Sequence, residues 1–195
     1  MAKQLEYFFD YVSPYSYLAD SRIPGLVERT GAELVYRPFF LGGVMQASGN
    51  RPPATVPAKG KYMLTDIARW LDRYGLELSF NPHFPVNTVK AMRGALVALE
   101  EGVFPAYHAA LFRAMWRDEQ DVADVEVLAK ALDAAGLDAG AILDRIGEPR
   151  IKERLKANGD EAVERGAFGA PTFFVDGEMF FGNDRLEFLE AKLGS

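Results

Sequence analysis

Apolar residues crowd the first stretch of the chain. Leu5-Glu6-Tyr7-Phe8-Phe9-Asp10-Tyr11-Val12 is broken only by two acids, and its Tyr and Phe content predicts a strand over residues 4–12. The pattern then changes to a helical one over residues 14–30, ending near Thr30-Gly31, and returns to a strand over Glu33–Phe40. Such a β-α-β unit implies a parallel strand pair joined by a right-handed crossover. The stretch 46–60 is rich in Pro and Gly and reads as a loop. From about 62 to 165 the periodicity is helical throughout, in segments Tyr62–Tyr74, Thr88–Glu101, Pro105–Arg117, Val122–Ala135, Ala139–Ile146 and Pro149–Arg165. Gly75, Gly102, Gly136 and Gly147 separate them, as expected at helix ends. A last block holds a short strand, Thr172–Val175, a hairpin turn at Asp176-Gly177, a return strand, Glu178–Phe181, and a closing helix, Arg185–Leu193. The expected fold is therefore α/β: a thioredoxin-like β-α-β plus β-β-α unit carrying a large all-helical insertion. The corresponding division is a thioredoxin-like domain from residues 1–45 and 166–195, with an insertion domain at 46–165.

Composition narrows the chemistry. With 195 residues and 49% hydrophobic content, the chain can bury a core of one medium domain, or one domain with a large insertion. A net charge of −6, with no stripe of Lys or Arg, argues against a nucleic-acid surface. The complete absence of cysteine excludes disulfides, thiolate metal sites and any thiol chemistry of the chain's own. The two histidines, His83 and His108, have no spacing typical of zinc ligands, so no metal is expected and both read as structural or surface residues. No apolar run reaches transmembrane length and no signal-peptide core is visible, so the expectation is a cytoplasmic protein with no membrane partner.

Against that background Ser13-Pro14-Tyr15-Ser16, directly after the first strand, stands out. Ser followed by Pro is an ordinary helix start, with the serine as N-cap. In thioredoxin-like folds the same position holds a Cys-X-X-Cys pair. Here both ends of the unit are serine, which cannot exchange disulfides but can hold a thiolate supplied by another molecule. Gly169-Ala170-Pro171-Thr172 either opens an edge strand or holds a cis Ala170-Pro171 bond, which would leave the Ala170 backbone open to a peptide-like ligand. Gly182-Asn183-Asp184-Arg185 offers either an N-cap for the last helix or a seat for an α-amino and α-carboxylate group. Asn50 and Lys59 flank the Pro-rich loop.

These motifs, in order, resemble the kappa-class glutathione transferases and the 2-hydroxychromene-2-carboxylate isomerases. The resemblance rests on Phe9–Ser16, Ser48-Gly49-Asn50-Arg51-Pro52-Pro53, Lys59-Gly60-Lys61-Tyr62-Met63, Gly169–Val175 and Phe181–Arg185, and so spans nearly the whole chain. Asn81–Thr88, followed by Ala91-Met92-Arg93-Gly94-Ala95, is more similar to the isomerase branch. Asn183 stands where kappa enzymes often carry Ser.

The resemblance implies glutathione as cofactor. Ser13 would hydrogen-bond its sulfur, and Asn50 and Lys59 would contact its backbone or glycine end. The Ala170 main chain, before Pro171, would pair with the cysteinyl portion. Asn183 and Asp184 would hold the γ-glutamyl group. The implied reaction is isomerisation of a small aromatic α-keto acid by reversible thiolate addition, with Lys59, Asn87 and Arg93 as candidates to meet the substrate carboxylate. A homodimer is expected. Two further readings stay open: a kappa-type transferase that consumes glutathione, and a non-catalytic binding protein on the same scaffold.

Overall fold

The computed structural model describes residues 2–194. The chain runs β1 (Gln4–Phe9), α1 (Pro14–Asp20), α2 (Ile23–Thr30), β2 (Glu33–Pro38), α3 (Leu41–Ser48), α4 (Pro57–Tyr74), α5 (Val89–Glu100), α6 (Phe104–Trp116), α7 (Val125–Ala134), α8 (Ala139–Arg145), α9 (Pro149–Glu164), β3 (Thr172–Val175), β4 (Glu178–Phe181) and α10 (Leu186–Leu193). Single 3-10 turns at Pro53–Thr55 and Asn183–Arg185 precede α4 and α10.

Four strands form one sheet in the order β2-β1-β3-β4. β1 pairs parallel with β2, placing Tyr7 beside Tyr36, and antiparallel with β3, placing Tyr7 beside Phe173. The parallel β1-α-β2 crossover and the antiparallel β3-β4 hairpin are those expected of a thioredoxin-like unit. Asp176 and Gly177 adopt φ values of 51° and 80°, the left-handed pair that a two-residue hairpin loop requires.

β1 is apolar almost throughout because both of its faces are covered. Leu5, Tyr7 and Phe9 join Ala95, Leu96, Tyr107, Leu111 and Trp116 of α5 and α6 in the larger core. Phe8 points the other way, to Phe39, Val44, Ala162 and Phe174. Arg165 lies 3.8 Å from the centroid of the Phe174 ring and is paired with Glu6 at 2.6 Å, so a charged layer closes that second face.

Several expected boundaries differ, and β1 and β2 stop at Phe9 and Pro38, short of the expected residues 12 and 40. The single helix over 14–30 is two helices, broken at Ser21-Arg22, because Pro24 at the second position of α2 has no N–H for the carbonyl of Asp20. The loop over 46–60 is shorter than expected: residues 46–48 finish α3, and 57–60 form the first turn of α4. Pro57 opens that turn, at a position where a missing N–H costs nothing. α7 starts at Val125 rather than Val122, since the Asp124 side chain accepts from the Glu126 N–H and caps it there.

Candidate functional site

Ser13 is 4% exposed and is the N-cap of α1, the ordinary one of its two sequence readings. Its Oγ accepts from the Ser16 N–H at 3.1 Å, capping α1, and donates to the Ala170 carbonyl at 3.0 Å. The Ala170-Pro171 bond is cis. Residues 157 positions apart therefore meet at one hydroxyl.

The loop that delivers Ser13 is held by an acid that sequence reasoning passed over. Asp10 is fully buried and accepts from the Val12 N–H at 3.0 Å, the Leu41 N–H at 2.8 Å and the Thr88 hydroxyl at 2.6 Å. It ties the end of β1 to the starts of α3 and α5. Burial pushes its carboxyl up to about 6, although all three donors favour the ionised form. Its one sequence signal was an acid placed inside an apolar run.

On the other side of Ser13, the Tyr15 hydroxyl donates to Asp66 at 2.9 Å and joins α1 to α4. Burial, then Asp66, holds the phenol well above its ordinary range, with smaller effects from Tyr62 and Asp184.

The remaining candidates divide into two groups. Asn50 donates from Nδ2 to the Phe168 carbonyl at 2.8 Å, two residues before Ala170. Asn183 is 3% exposed, and its Nδ2 is buried with no hydrogen-bond partner. Asp184 is half exposed and accepts from its neighbour Arg185 at 2.6 Å. The expected side-chain N-cap of α10 is not formed, since residues 183–185 make a 3-10 turn and α10 has no side-chain cap. Lys59 is exposed in the first turn of α4 and makes no ion pair among the described residues.

The structure does not join Asn87 or Arg93 to Ser13, Ala170 or Asn183 by any hydrogen bond or ion pair. Asn87 is exposed and its Oδ1 accepts from the Val89 N–H, a local turn before α5. Arg93 is half-buried, and its Nε has no partner.

His108 is structural. It sits among Phe9, Phe104 and Phe112, 2.7 Å from Asp20 through Nε2 and 3.1 Å from the Tyr11 hydroxyl through Nδ1. No helix among the described residues is long and apolar enough to cross a membrane.

Residues 4–194 match the family model of the DSBA-like thioredoxin domain. The chain is 35% identical to a 2-hydroxychromene-2-carboxylate isomerase of Sphingobium xenophagum over 195 residues, covering 99% of both chains. It is 33% identical to glutathione S-transferase kappa 1 of Rattus norvegicus, covering 97% of this chain and 90% of that one. Both relatives are enzymes. A solved 2-hydroxychromene-2-carboxylate isomerase superimposes with a TM-score of 0.87 at 30% identity, covering 98% of this chain and 94% of the other.

Proposed function

The chain belongs to the DSBA-like thioredoxin family, among the enzymes of its isomerase and kappa-transferase branch, and on that premise we propose that it is a glutathione-dependent cis–trans isomerase. The substrate pair would be 2-hydroxychromene-2-carboxylate and trans-o-hydroxybenzylidenepyruvate, or a close aromatic analogue. The observation that carries this reading is the buried Ser13 hydroxyl bridged to the carbonyl before a cis proline, in a chain without cysteine.

The residues present fit a thiol peptide. Asn183 offers a buried amide donor with no partner, beside the Asp184 carboxylate. Glutathione bound here would supply a thiolate that adds reversibly to the conjugated double bond, so that the bond can rotate before the thiol is released unchanged. Free thiols ionise near pH 8.5, and only a few per cent is thiolate at neutral pH. A hydroxyl donor aimed at sulfur raises that fraction.

Ser13 has a single hydroxyl proton, and it now points at Ala170 O. A cysteinyl N–H arriving at that carbonyl would satisfy it and release the Ser13 proton to turn toward sulfur. Ligand binding and thiolate stabilisation are then one exchange of hydrogen bonds, in which Ser13 solvates a charge without itself being deprotonated. Lys59 and Arg93, two cations that make no ion pair among the described residues, are the candidates for the substrate carboxylate, with Asn87 as a neutral alternative.

The test is an ultraviolet assay on 2-hydroxychromene-2-carboxylate, with and without glutathione, tracking free thiol in parallel. Isomerisation that requires glutathione and leaves thiol constant supports the proposal. Stoichiometric thiol loss with small electrophiles, and no isomerisation, moves the chain to the kappa-transferase reading, which the 33% identical rat relative favours.

A further inference from the structure

The turn that delivers Ser13 is gripped by α6 through Tyr11. The Ser13 N–H donates to the Asp10 carbonyl at 3.0 Å, so Tyr11 and Val12 are the two central residues of that turn. The peptide between them is tied at both of its polar atoms. The Tyr11 carbonyl accepts from Trp116 Nε1 at 2.8 Å, and the Val12 N–H donates to the Asp10 carboxylate at 3.0 Å. The Tyr11 ring is fully buried and meets Phe9 and Phe112 edge to face, with centroids 5.4 and 5.0 Å away. Its hydroxyl has one hydrogen-bond partner among the described residues, His108 Nδ1 at 3.1 Å. His108 Nε2 in turn lies 2.7 Å from Asp20.

These three polar side chains have one consistent arrangement of protons. The Asp20 carboxylate accepts from Nε2–H, which leaves the Nδ1 lone pair for the Tyr11 hydroxyl proton. Burial holds the Tyr11 phenol well above its ordinary range, so it stays a donor. A second proton on the imidazole would strip that donor of its acceptor, among the rings of Phe9, Tyr36, Phe104 and Phe112. Phenylalanine would fill position 11 with the same ring and no such requirement. What the hydroxyl adds is a unique position, because a satisfied buried network fixes one rotamer and one backbone path. The far end of the network is also telling. Asp20 is the last residue of the helix that Ser13 caps, so the turn before Ser13 and the end of α1 after it are fastened to the same imidazole.

We infer that Tyr11 is a positioning residue for the thiolate site: its phenol, held by His108 and Asp20, fixes the turn so that the Ser13 hydroxyl is aimed at the sulfur. This inference rests on the glutathione reading above. Tyr11 acts only through Ser13. Hydrogen bonds weaken steeply as their angle closes, and a misplacement of about 1 Å in a supporting segment can cost about a hundredfold in rate. A small tilt of the turn is therefore felt at the sulfur.

The experiment follows the ionisation of bound glutathione by thiolate ultraviolet absorbance against pH, with S-methylglutathione as the blank. It compares wild type, Ser13→Ala, Tyr11→Phe and the double variant. Ser13→Ala should raise the midpoint by about 1–2 pH units, the worth of one hydrogen bond to a charged atom. Tyr11→Phe should raise it by about half a unit, cutting the thiolate fraction at neutral pH about threefold. In the Ser13→Ala background Tyr11→Phe should add nothing, because its effect passes through that hydroxyl. His108→Asn, which keeps an acceptor near the Nδ1 position, should hold the wild-type midpoint better than His108→Leu. A Tyr11→Phe variant that melts earlier but keeps the wild-type midpoint has lost packing alone, and that result overturns the inference. An equal shift in both backgrounds overturns it too, as does the reverse order of the two His108 variants. Wild type that binds no glutathione overturns the cofactor reading, and this inference with it.

Discussion

At the level of single residues, two buried polar groups do different work within four positions of each other. Ser13 is both cap and candidate hydrogen-bond donor to the sulfur, so its removal should separate folding from rate. Ser13→Ala should lower stability by about 1 kcal/mol, the usual cost of losing a cap. It should lower turnover at saturating glutathione about tenfold to a hundredfold, the worth of one hydrogen bond to a charged atom, and move the rising limb of the pH–rate profile upward. Full activity with an unchanged pH profile would remove Ser13 from the chemistry. Asp10 makes an opposite kind of statement. Its folded-state value of about 6 lies above the ordinary 3.8, so between pH 4 and 6 the folded protein keeps a proton that the unfolded chain has lost. The advantage of the neutral form is complete below about pH 4 and is lost as pH rises through 6. Urea unfolding of wild type and Asp10→Asn across this range should therefore diverge, with wild type losing about 3 kcal/mol relative to the variant. Parallel curves would show that Asp10 does not titrate in this window.

Among the elements, close approach decides what the sequence showed and what it hid. The β3-β4 hairpin and the Ser-Pro start of α1 were legible because their signals are local: Asp176-Gly177 must turn, and Ser13-Pro14 must cap. The break between α1 and α2 was hidden because Pro24 sits inside an otherwise helical pattern. Gly94 was also unremarkable in sequence, lying mid-helix in α5. Its role comes from α6: a Cβ at Gly94 would collide with the Tyr107 hydroxyl and stand 2.8 Å from the ring carbon that bears it. That hydroxyl donates to the Ala91 carbonyl at 2.7 Å in the buried core. Gly94→Ala should thus cost about 1–3 kcal/mol by overpacking, even though alanine is the better helix former. Chemical denaturation measures this directly, and a variant as stable as wild type would mean that α5 and α6 can slide apart at no cost.

Across the whole molecule, the candidate residues come from segments that no local pattern could connect. Ser13 comes from the N-terminal β-α-β unit, Ala170, Asn183 and Asp184 from the C-terminal block, and Asn50 and Lys59 from either side of the Pro-rich stretch. Sequence motifs named these residues. They could not give the Ser13–Ala170 bridge, the Asp10–Thr88 bond or the Tyr15–Asp66 bond, whose partners are 157, 78 and 51 positions apart. A ligand that spans such a site should stiffen all three segments together, because any opening that frees one must also release the ligand. At glutathione concentrations about a hundredfold above Kd, that linkage is worth about 2.7 kcal/mol. Amide exchange in residues 13–16, 49–60 and 182–185 should then slow by up to about a hundredfold. α7 and α8, which pack against α5, α6 and each other, should exchange at unchanged rates. If 49–60 stays unprotected while the other two segments slow, Asn50 and Lys59 do not touch the ligand and the site is confined to the two ends of the chain. Protection spread evenly into α7 and α8 would instead mean that the helical layer opens and closes with the sheet as a single cooperative unit.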